Sequence, residues 1–146
     1  MKLAAMVPCA ALTLMLLPQA RILHARQKPE DLAQKSAETW LVRTDSGKYG
    51  ESWDEASSAF KAAVSKEKWS GMLQSARTPL GALKSRKLSS VQYMKNPPSA
   101  PEGAYVILTY DASFEKLPSA TETVSMALDK DGKWRAAGYF IKAAGM

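Results

Sequence analysis

The sequence predicts an α+β domain in which three N-terminal helices pack on a four-stranded antiparallel sheet. Between residues 29 and 77 the apolar residues recur at intervals of three and four, which is typical of amphipathic helices. From residue 86 onward they alternate with polar residues, which is typical of half-buried strands. A series of helices followed by a series of strands favours helices gathered on one face of an antiparallel sheet.

The first two helices are predicted before residue 65. Helix one begins at Pro29–Asp31, because proline suits the first helical position and acidic residues suit the positive end of the helix dipole. It ends at Asp45–Gly47, and its apolar side contains Ala33, Ala37, Trp40 and Leu41. A second stripe with the same spacing predicts one continuous helix over residues 49–64. The members of this stripe are Tyr49, Trp53, Ala56, Phe60 and Val64.

The third helix is predicted to begin after Ser65, a residue type that caps helix N-termini. Its apolar side consists of Trp69, Met72, Leu73 and Ala76. Thr78 precedes Pro79, and a residue before proline avoids the helical conformation. The third helix therefore ends by Arg77.

Four strands are predicted over residues 87–93, 105–114, 121–128 and 134–142. The second is the strongest, because it is rich in β-branched and aromatic residues. One of its faces contains Val106, Leu108, Tyr110, Ala112 and Phe114. A proline-rich loop, Pro97–Pro101, separates the first two strands, and Asp129–Gly132 is a hairpin turn signal before the last.

Residues 1–25 have the order of a secretory signal peptide. Lys2 supplies a positive start, Leu3–Leu17 is an apolar run, and the following residues are polar. The run is shorter than the roughly 20 apolar residues that a transmembrane helix needs, although an uncleaved membrane anchor is the alternative. The sequence thus predicts an exported protein, periplasmic or secreted, with a single α+β domain at residues 26–146.

The chemistry available to the mature domain is narrow. Cys9 is the only cysteine and His24 the only histidine, and both precede the predicted cleavage point. The mature chain would lack disulfides, the commonest general base, a thiol nucleophile and the usual transition-metal ligands. We therefore expect no metal and no cofactor, and carboxylates remain the one route to catalysis.

Several short motifs occur in an order that resembles a known family. They are Trp40-Leu41, Tyr49…Trp53, Trp69…Arg77-Thr-Pro-Leu-Gly81…Arg86 and Asp131-Gly-Lys-Trp-Arg…Gly138-Tyr-Phe-Ile141. Together they resemble the exported bacterial family designated domain of unknown function 4019, over nearly the whole mature chain. The resemblance implies a nuclear-transport-factor-2-like or cystatin-like fold. It implies no activity, so no catalytic residue is carried over.

Two carboxylates are candidates for an enzymatic role. Asp111 lies within the second strand, on the face opposite Tyr110, and Glu122 begins the face of the third strand that carries Val124 and Met126. Domains of the nuclear-transport-factor-2-like type can hold such a group in an apolar cone, where burial would raise its pKa. The competing interpretation is a solvated carboxylate, since charged side chains are seldom fully buried.

The charge pattern favours an anionic ligand. Removing Lys2 and Arg21 with the leader takes the net charge from +6 to +4, whereas residues 60–95 contain eight basic residues and only Glu67 as an acid. The candidate ligand-binding residues in this basic segment are Lys61, Lys66, Lys84, Arg77 and Arg86. A solvated lysine-rich surface is the alternative, and for Arg77 so is a helix-end role.

The predicted function is a non-enzymatic binding or interaction module whose ligand the sequence does not identify. A basic surface on an exported domain suits an anionic cell-envelope component or an acidic protein. Nucleic acid is not expected, because no basic motif interleaved with aromatic residues occurs. The chain is expected to be a monomer or a homodimer. The alternative is a small-molecule enzyme that uses a buried carboxylate such as Asp111 in a cone-shaped pocket.

Overall fold

The computed structural model describes residues 27–145, which form four α-helices and one four-stranded sheet. The helices are α1 (Pro29–Asp45), α2 (Tyr49–Asp54), α3 (Ser58–Ala63) and α4 (Lys66–Arg77), followed by a 3-10 turn at Thr78–Leu80. The strands are β1 (Leu83–Lys95), β2 (Ala104–Phe114), β3 (Leu117–Leu128) and β4 (Trp134–Ala143). The α+β class is confirmed. The predicted signal peptide, with Cys9 and His24, lies outside the described residues.

The predicted second helix is two helices, so the prediction of three helices is wrong. Ser57 explains the interruption. Its hydroxyl caps α3 by accepting a hydrogen bond from the Phe60 N–H at 3.3 Å, and its own N–H donates to the Ala136 carbonyl on β4 at 2.8 Å. An N–H that bonds the sheet cannot also continue a helix. The spacing still looks helical because both short helices turn apolar residues toward the same core.

The ends of α1 and α4 agree with the prediction. Pro29 occupies the first turn of α1, and the Ser65 hydroxyl caps α4 by accepting from the Lys68 N–H at 3.3 Å. The predicted stripe of α4 is too wide, since Trp69 and Leu73 are buried but Met72 is 53% exposed. Residues 69, 73 and 77 follow one row of the helix surface, and this narrow row faces the interior.

The turn after α4 requires a glycine. Gly81 has φ +72°, a conformation that side chains with a Cβ rarely adopt. A Cβ at this position would also lie 2.9 Å from the Cβ of Glu115. The Pro-Leu-Gly segment therefore reverses the chain tightly against the β2–β3 turn and delivers it into β1.

The sheet is an antiparallel meander in the order β1-β2-β3-β4. Leu108 on β2 lies between Val91 on β1 and Val124 on β3. β1 and β3 begin four residues earlier than predicted, at Leu83 and Leu117. For β3 the reason is the two-residue turn after β2, which continues the pairing until Leu117 lies opposite Phe114.

One face of the sheet carries the helices and the core. α1 contacts all four strands, and α2 packs on α4. The residues predicted for the inner face of the second strand are buried, as are Trp40, Trp69 and the alanines of α1. Within residues 27–145, no helix combines the length and apolar character needed to cross a membrane.

Candidate functional site

Two arginines and two carboxylates meet on the helix-facing side of the sheet. Asp45 is the last residue of α1 and Arg77 the last residue of α4. Arg86 comes from β1 and Glu122 from β3. Strand β2 lies between β1 and β3, and its residue opposite Arg86 is Ala112. The small side chain of Ala112 leaves room for the guanidinium of Arg86 to reach Glu122 on β3.

Arg86 is the centre of this buried ion network. Its Nε donates to Glu122 Oε2 at 2.5 Å and its Nη2 to Glu122 Oε1 at 3.0 Å. The same guanidinium also binds Asp45, from Nη1 to Oδ2 at 2.7 Å and from Nη2 to Oδ1 at 2.9 Å. Arg86 therefore makes a forked contact with both carboxylates, a geometry for which guanidinium is suited and ammonium is not.

Arg77 closes the network from the other side. Its Nη2 donates to Asp45 Oδ1 at 2.8 Å, and its Nη1 contacts Glu122 Oε1 at 3.4 Å. Nη1 also donates to the Tyr139 hydroxyl at 2.7 Å, and that hydroxyl donates in turn to Glu122 Oε1. The guanidinium carbon lies 4.9 Å from the centre of the Phe114 ring, which supplies a cation–π contact.

The pKa shifts in the network favour the charged forms of Arg77, Arg86 and Asp45 and the neutral form of Tyr139. Burial alone would raise the pKa of Asp45, but the hydrogen bonds and charges of Arg86 and Arg77 outweigh it and lower the pKa below 3.8. Burial would lower the pKa of Arg86, and its contacts with Asp45 and Glu122 raise it instead. Burial and the charge of Glu122 raise the pKa of Tyr139. These directions favour a negative Asp45 beside positive arginines and an uncharged phenol at Tyr139.

The burial of this network gives it a structural role. The side chains of Glu122 and Arg77 are 0% and 5% exposed, and that of Arg86 is 14% exposed. Both guanidinium groups are hydrogen-bonded to carboxylates inside the protein, so an external anion would have to compete with Asp45 and Glu122. The network joins the C-terminal ends of α1 and α4 to three strands, which fixes the helices on the sheet.

The lysines predicted as ligand-binding residues do not form one site. Lys66 pairs with Asp54 at 2.6 Å, and Lys61 donates to the Asp54 carbonyl at 3.2 Å while lying 5.8 Å from the centre of the Trp53 ring. Lys84 is exposed on β1, on a different element. The basic segment is therefore spread over α3, α4 and β1, and of its arginines Arg77 is buried and Arg86 is partly buried.

The two candidate carboxylates have opposite environments. Asp111 is exposed and lies opposite Lys87 and Thr121 in the register of the sheet, so it has the environment of a solvated carboxylate. Glu122 is fully buried, but two arginines and a tyrosine occupy its oxygens. Neither carboxylate lines one of the described pockets.

An open groove lies elsewhere, between α1 and the β3–β4 hairpin. Its volume is about 660 Å³, which lies within the range of small-molecule sites. The exposed Leu32 and the edges of the largely buried Trp40 and Trp134 supply apolar surface, and Ser36 and Thr39 on α1 add hydroxyl groups. The sequence analysis missed this groove because α1 and the hairpin are almost a hundred residues apart in the chain.

The charged groups that line the groove leave two lysines without an ion pair. Asp54 pairs with Lys66 at 2.6 Å and Glu55 with Arg43 at 3.0 Å. Arg135 pairs with Asp129 at 3.0 Å and with Asp131 at 2.7 Å. Lys35 on α1 and Lys133 in the hairpin line the groove and form no ion pair among residues 27–145. Lys133 is nevertheless near enough to Asp131 to contribute to the lowered pKa of that carboxyl, after the larger effect of the Arg135 hydrogen bond.

The described part of the chain was found to contain no cluster of metal-ligating side chains. Residues 27–145 contain no group of three or more histidine, cysteine, aspartate or glutamate side chains placed to hold a metal ion. Carboxylates at this groove are occupied by cations, and those of the buried network by arginines.

The fold and the site together define a small α+β domain with a buried ion network and a separate, solvent-accessible groove. The chain belongs to the family described as "Protein of unknown function (DUF4019)", whose sequence profile matches residues 36–139. The family resemblance based on the ordered motifs is thus confirmed. No curated protein matches the chain significantly. The bacterial origin and the nuclear-transport-factor-2-like or cystatin-like fold stay predictions.

Proposed function

We propose that the protein is an exported, non-enzymatic binding module for a small amphipathic molecule that carries an anionic group. The ligand lies in the groove between α1 and the β3–β4 hairpin. One observation carries this proposal: an apolar surface formed by Leu32, Trp40 and Trp134 adjoins Lys35 and Lys133, which form no ion pair within residues 27–145. Mostly apolar pockets with a few polar groups are the usual small-molecule sites of proteins.

Charge decides which ligand the groove favours. The lining residues Asp54 and Glu55 are neutralised by Lys66 and Arg43, so they do not attract a cation strongly. Lys35 and Lys133 are the lysines of the lining that form no ion pair within residues 27–145, and Lys133 lies near Asp131, which shares Arg135 with Asp129. Their ammonium groups favour a carboxylate, sulfonate or phosphate at one end of the ligand. An anionic component of the cell envelope has this chemistry.

The exposed lysines of the basic segment at residues 60–95 attract anions to the domain from a distance, but they do not form the binding site. Arg77 and Arg86 are committed to Asp45 and Glu122, and Lys66 to Asp54. The exposed lysines of the segment still add to the positive potential of the domain, which attracts anions before they bind. The specific contacts of the ligand therefore come from the groove.

A pair of related dyes tests the groove. We expect 1-anilinonaphthalene-8-sulfonate to bind the folded domain, and the Lys35→Ala/Lys133→Ala variant to bind it about tenfold more weakly, because two exposed charge contacts are lost. N-phenyl-1-naphthylamine has the same rings without the sulfonate, and its affinity should change little. Fluorescence titration measures both dissociation constants.

The matched control replaces two exposed lysines of the basic segment, Lys68→Ala/Lys84→Ala, and should leave the binding of both dyes unchanged. Circular dichroism verifies that each variant is folded. If the control weakens the sulfonate dye as much as the groove variant does, the anion binds the basic segment and the proposed site is wrong.

The proposal of export rests on the leader at residues 1–25, with its positive start and apolar run. In the native host we expect the protein outside the cytoplasm, with an intact mass that corresponds to a chain beginning near Arg26. Mass spectrometry of the fractionated host measures this. A full-length protein retained in the membrane fraction would contradict it and support the membrane-anchor alternative.

A further inference from the structure

We propose that the outer edge of β1 is a docking site for an extended, acidic peptide segment of another protein. The peptide would add a fifth strand to the sheet. This proposal concerns a different surface from the groove and does not depend on it.

β1 is an unpaired edge of the sheet. It runs for 13 residues and pairs with β2 on one side, and no backbone group among residues 27–145 pairs with its other side. At the opposite edge, the connection between α2 and α3 lies against β4, where the Ser57 N–H occupies the Ala136 carbonyl. An edge strand presents a row of free N–H and C=O groups, and an added strand can bind to such a row.

The C-terminal half of β1 has the regularity that an added strand needs. Register shifts interrupt the pairing with β2 between Leu83 and Ser85 and between Leu88 and Ser90, but Ser90 to Lys95 pair without interruption. Residues 88–94 contain no charge and no proline. Native proteins commonly protect an edge with charges or proline at such positions, and this stretch has neither.

The side chains of this stretch indicate what the peptide must contact. Val91 and Tyr93 lie opposite the buried Leu108 and Val106, so they are on the helix-facing side of the sheet, yet they are 36% and 42% exposed. Alternate residues of an added strand would lie beside them. Apolar β-branched side chains in the peptide would cover this surface.

The charge of β1 selects an acidic partner. Lys84, Lys87 and Lys95 are exposed at the two ends of the uncharged stretch, and the strand contains no acidic residue. Arg86 turns inward to Asp45 and Glu122. Asp111 lies opposite Lys87 on β2 but forms no ion pair with it, so the lysines of the edge are not neutralised among the described residues. Acidic side chains at the ends of the peptide would complement them.

A second copy of this chain fits the edge less well. An antiparallel pairing of two β1 strands would bring together two edges that each carry the exposed Lys84, Lys87 and Lys95 and no acidic residue. Like charges in opposite positions destabilise a strand pair. A peptide with glutamates in these positions has the favourable arrangement instead.

Amide hydrogen exchange tests this proposal directly. The probe is a synthetic peptide of alternating valine and threonine with two glutamates at each end. We expect it to slow the exchange of alternate amides between Ser89 and Met94, because only alternate residues of an edge strand point their N–H groups outward. Amides of β4 should exchange at an unchanged rate. A peptide with lysines in place of the glutamates should not bind measurably.

Charge reversal supplies the variant and its control. Lys87→Glu/Lys95→Glu should weaken the acidic peptide about tenfold or more, since two attractive contacts become repulsive. Lys116→Glu/Lys130→Glu changes the net charge equally at turns outside the stretch from Lys87 to Lys95 and should have a much smaller effect. Lys35→Ala/Lys133→Ala in the groove should leave peptide binding intact, which separates this site from the proposed ligand site.

Three results would overturn the proposal. The acidic peptide protects no amide of β1, or the control variant weakens it as much as the β1 variant does. The third result is a dimer in sedimentation whose β1 amides are protected without peptide. A second copy of the chain would then occupy the edge.

Discussion

Replacing Glu122 by glutamine is expected to lower the free energy of unfolding by about 3–5 kcal/mol. Glutamine has the same shape and keeps one acceptor oxygen, but it removes the negative charge between Arg77 and Arg86. Two buried guanidinium groups would then share Asp45 alone. An unneutralised buried charge is costly because the interior solvates it poorly. Urea titration followed by circular dichroism measures the change.

The matched control is Asp111→Asn, one strand away. Asp111 is exposed and makes no ion pair among the described residues, so the free energy of unfolding should change by no more than about 0.5 kcal/mol. Each substitution removes one carboxylate charge from the sheet. Equal effects in the two variants would mean that the ion network does not stabilise the fold as described.

The double variant Arg86→Gln/Glu122→Gln distinguishes the effect of an unpaired charge from the effect of altered side-chain packing. It leaves Arg77 and Asp45 as a balanced pair, which lie 2.8 Å apart. The double variant should therefore be less destabilised than the sum of the two single variants, because the second substitution removes the charge that the first one leaves unpaired. Additive effects would show that the two side chains act independently.

The ion network also explains how α1 and α4 are held at defined positions on one face of the sheet. Apolar packing is non-directional, so it buries α1 and α4 without fixing where they end. Asp45 and Arg77 are the terminal residues of these helices, and Arg86, Glu122 and Tyr139 hold them at fixed points on β1, β3 and β4. We infer that the network sets the position of α1 over the sheet. The groove lies beneath the same helix, so its width depends on that position.

Local patterns were sufficient for most of the fold. α1, α4 and β2 have dense apolar periodicity, clear caps or β-branched residues, and these signals depend only on near neighbours in the chain. The break between α2 and α3 could not be predicted in this way. It depends on a hydrogen bond from Ser57 to Ala136, which joins residues far apart in the sequence and leaves the helical spacing on either side unchanged.

The candidate sites were harder to predict for the same reason. Arg77 and Arg86 stood out as arginines near a turn, but nothing local reveals that their partners are Asp45 and Glu122. Asp45 had the appearance of a simple helix end. The groove combines Lys35 with Lys133, and the sequence between them gives no sign that they line one surface. The charged residues can be counted from a sequence, whereas the partners that neutralise them are seen only in the tertiary structure.

Trp69→Ala is expected to lower the free energy of unfolding by about 3–5 kcal/mol. The Trp69 ring is 5% exposed and packs between Phe60, at 4.9 Å between ring centres, and Trp40, at 6.3 Å. Its Nε1 donates to the Ser52 hydroxyl at 3.0 Å. Alanine would leave a cavity where α2, α3 and α4 meet, and Ser52 would lose a partner. The midpoint of urea denaturation measures the loss.

Two further substitutions on the same chain separate the contributions of Trp69. Trp69→Phe keeps an aromatic ring but removes the hydrogen bond to Ser52, so it should cost about 1 kcal/mol for that bond plus a smaller packing loss. Met72→Ala changes a residue of the predicted stripe that is 53% exposed, and it should have little effect. A larger loss for Met72→Ala than for Trp69→Ala would show that α4 turns its other side to the core, because the cost of truncation follows the burial of the side chain that is removed.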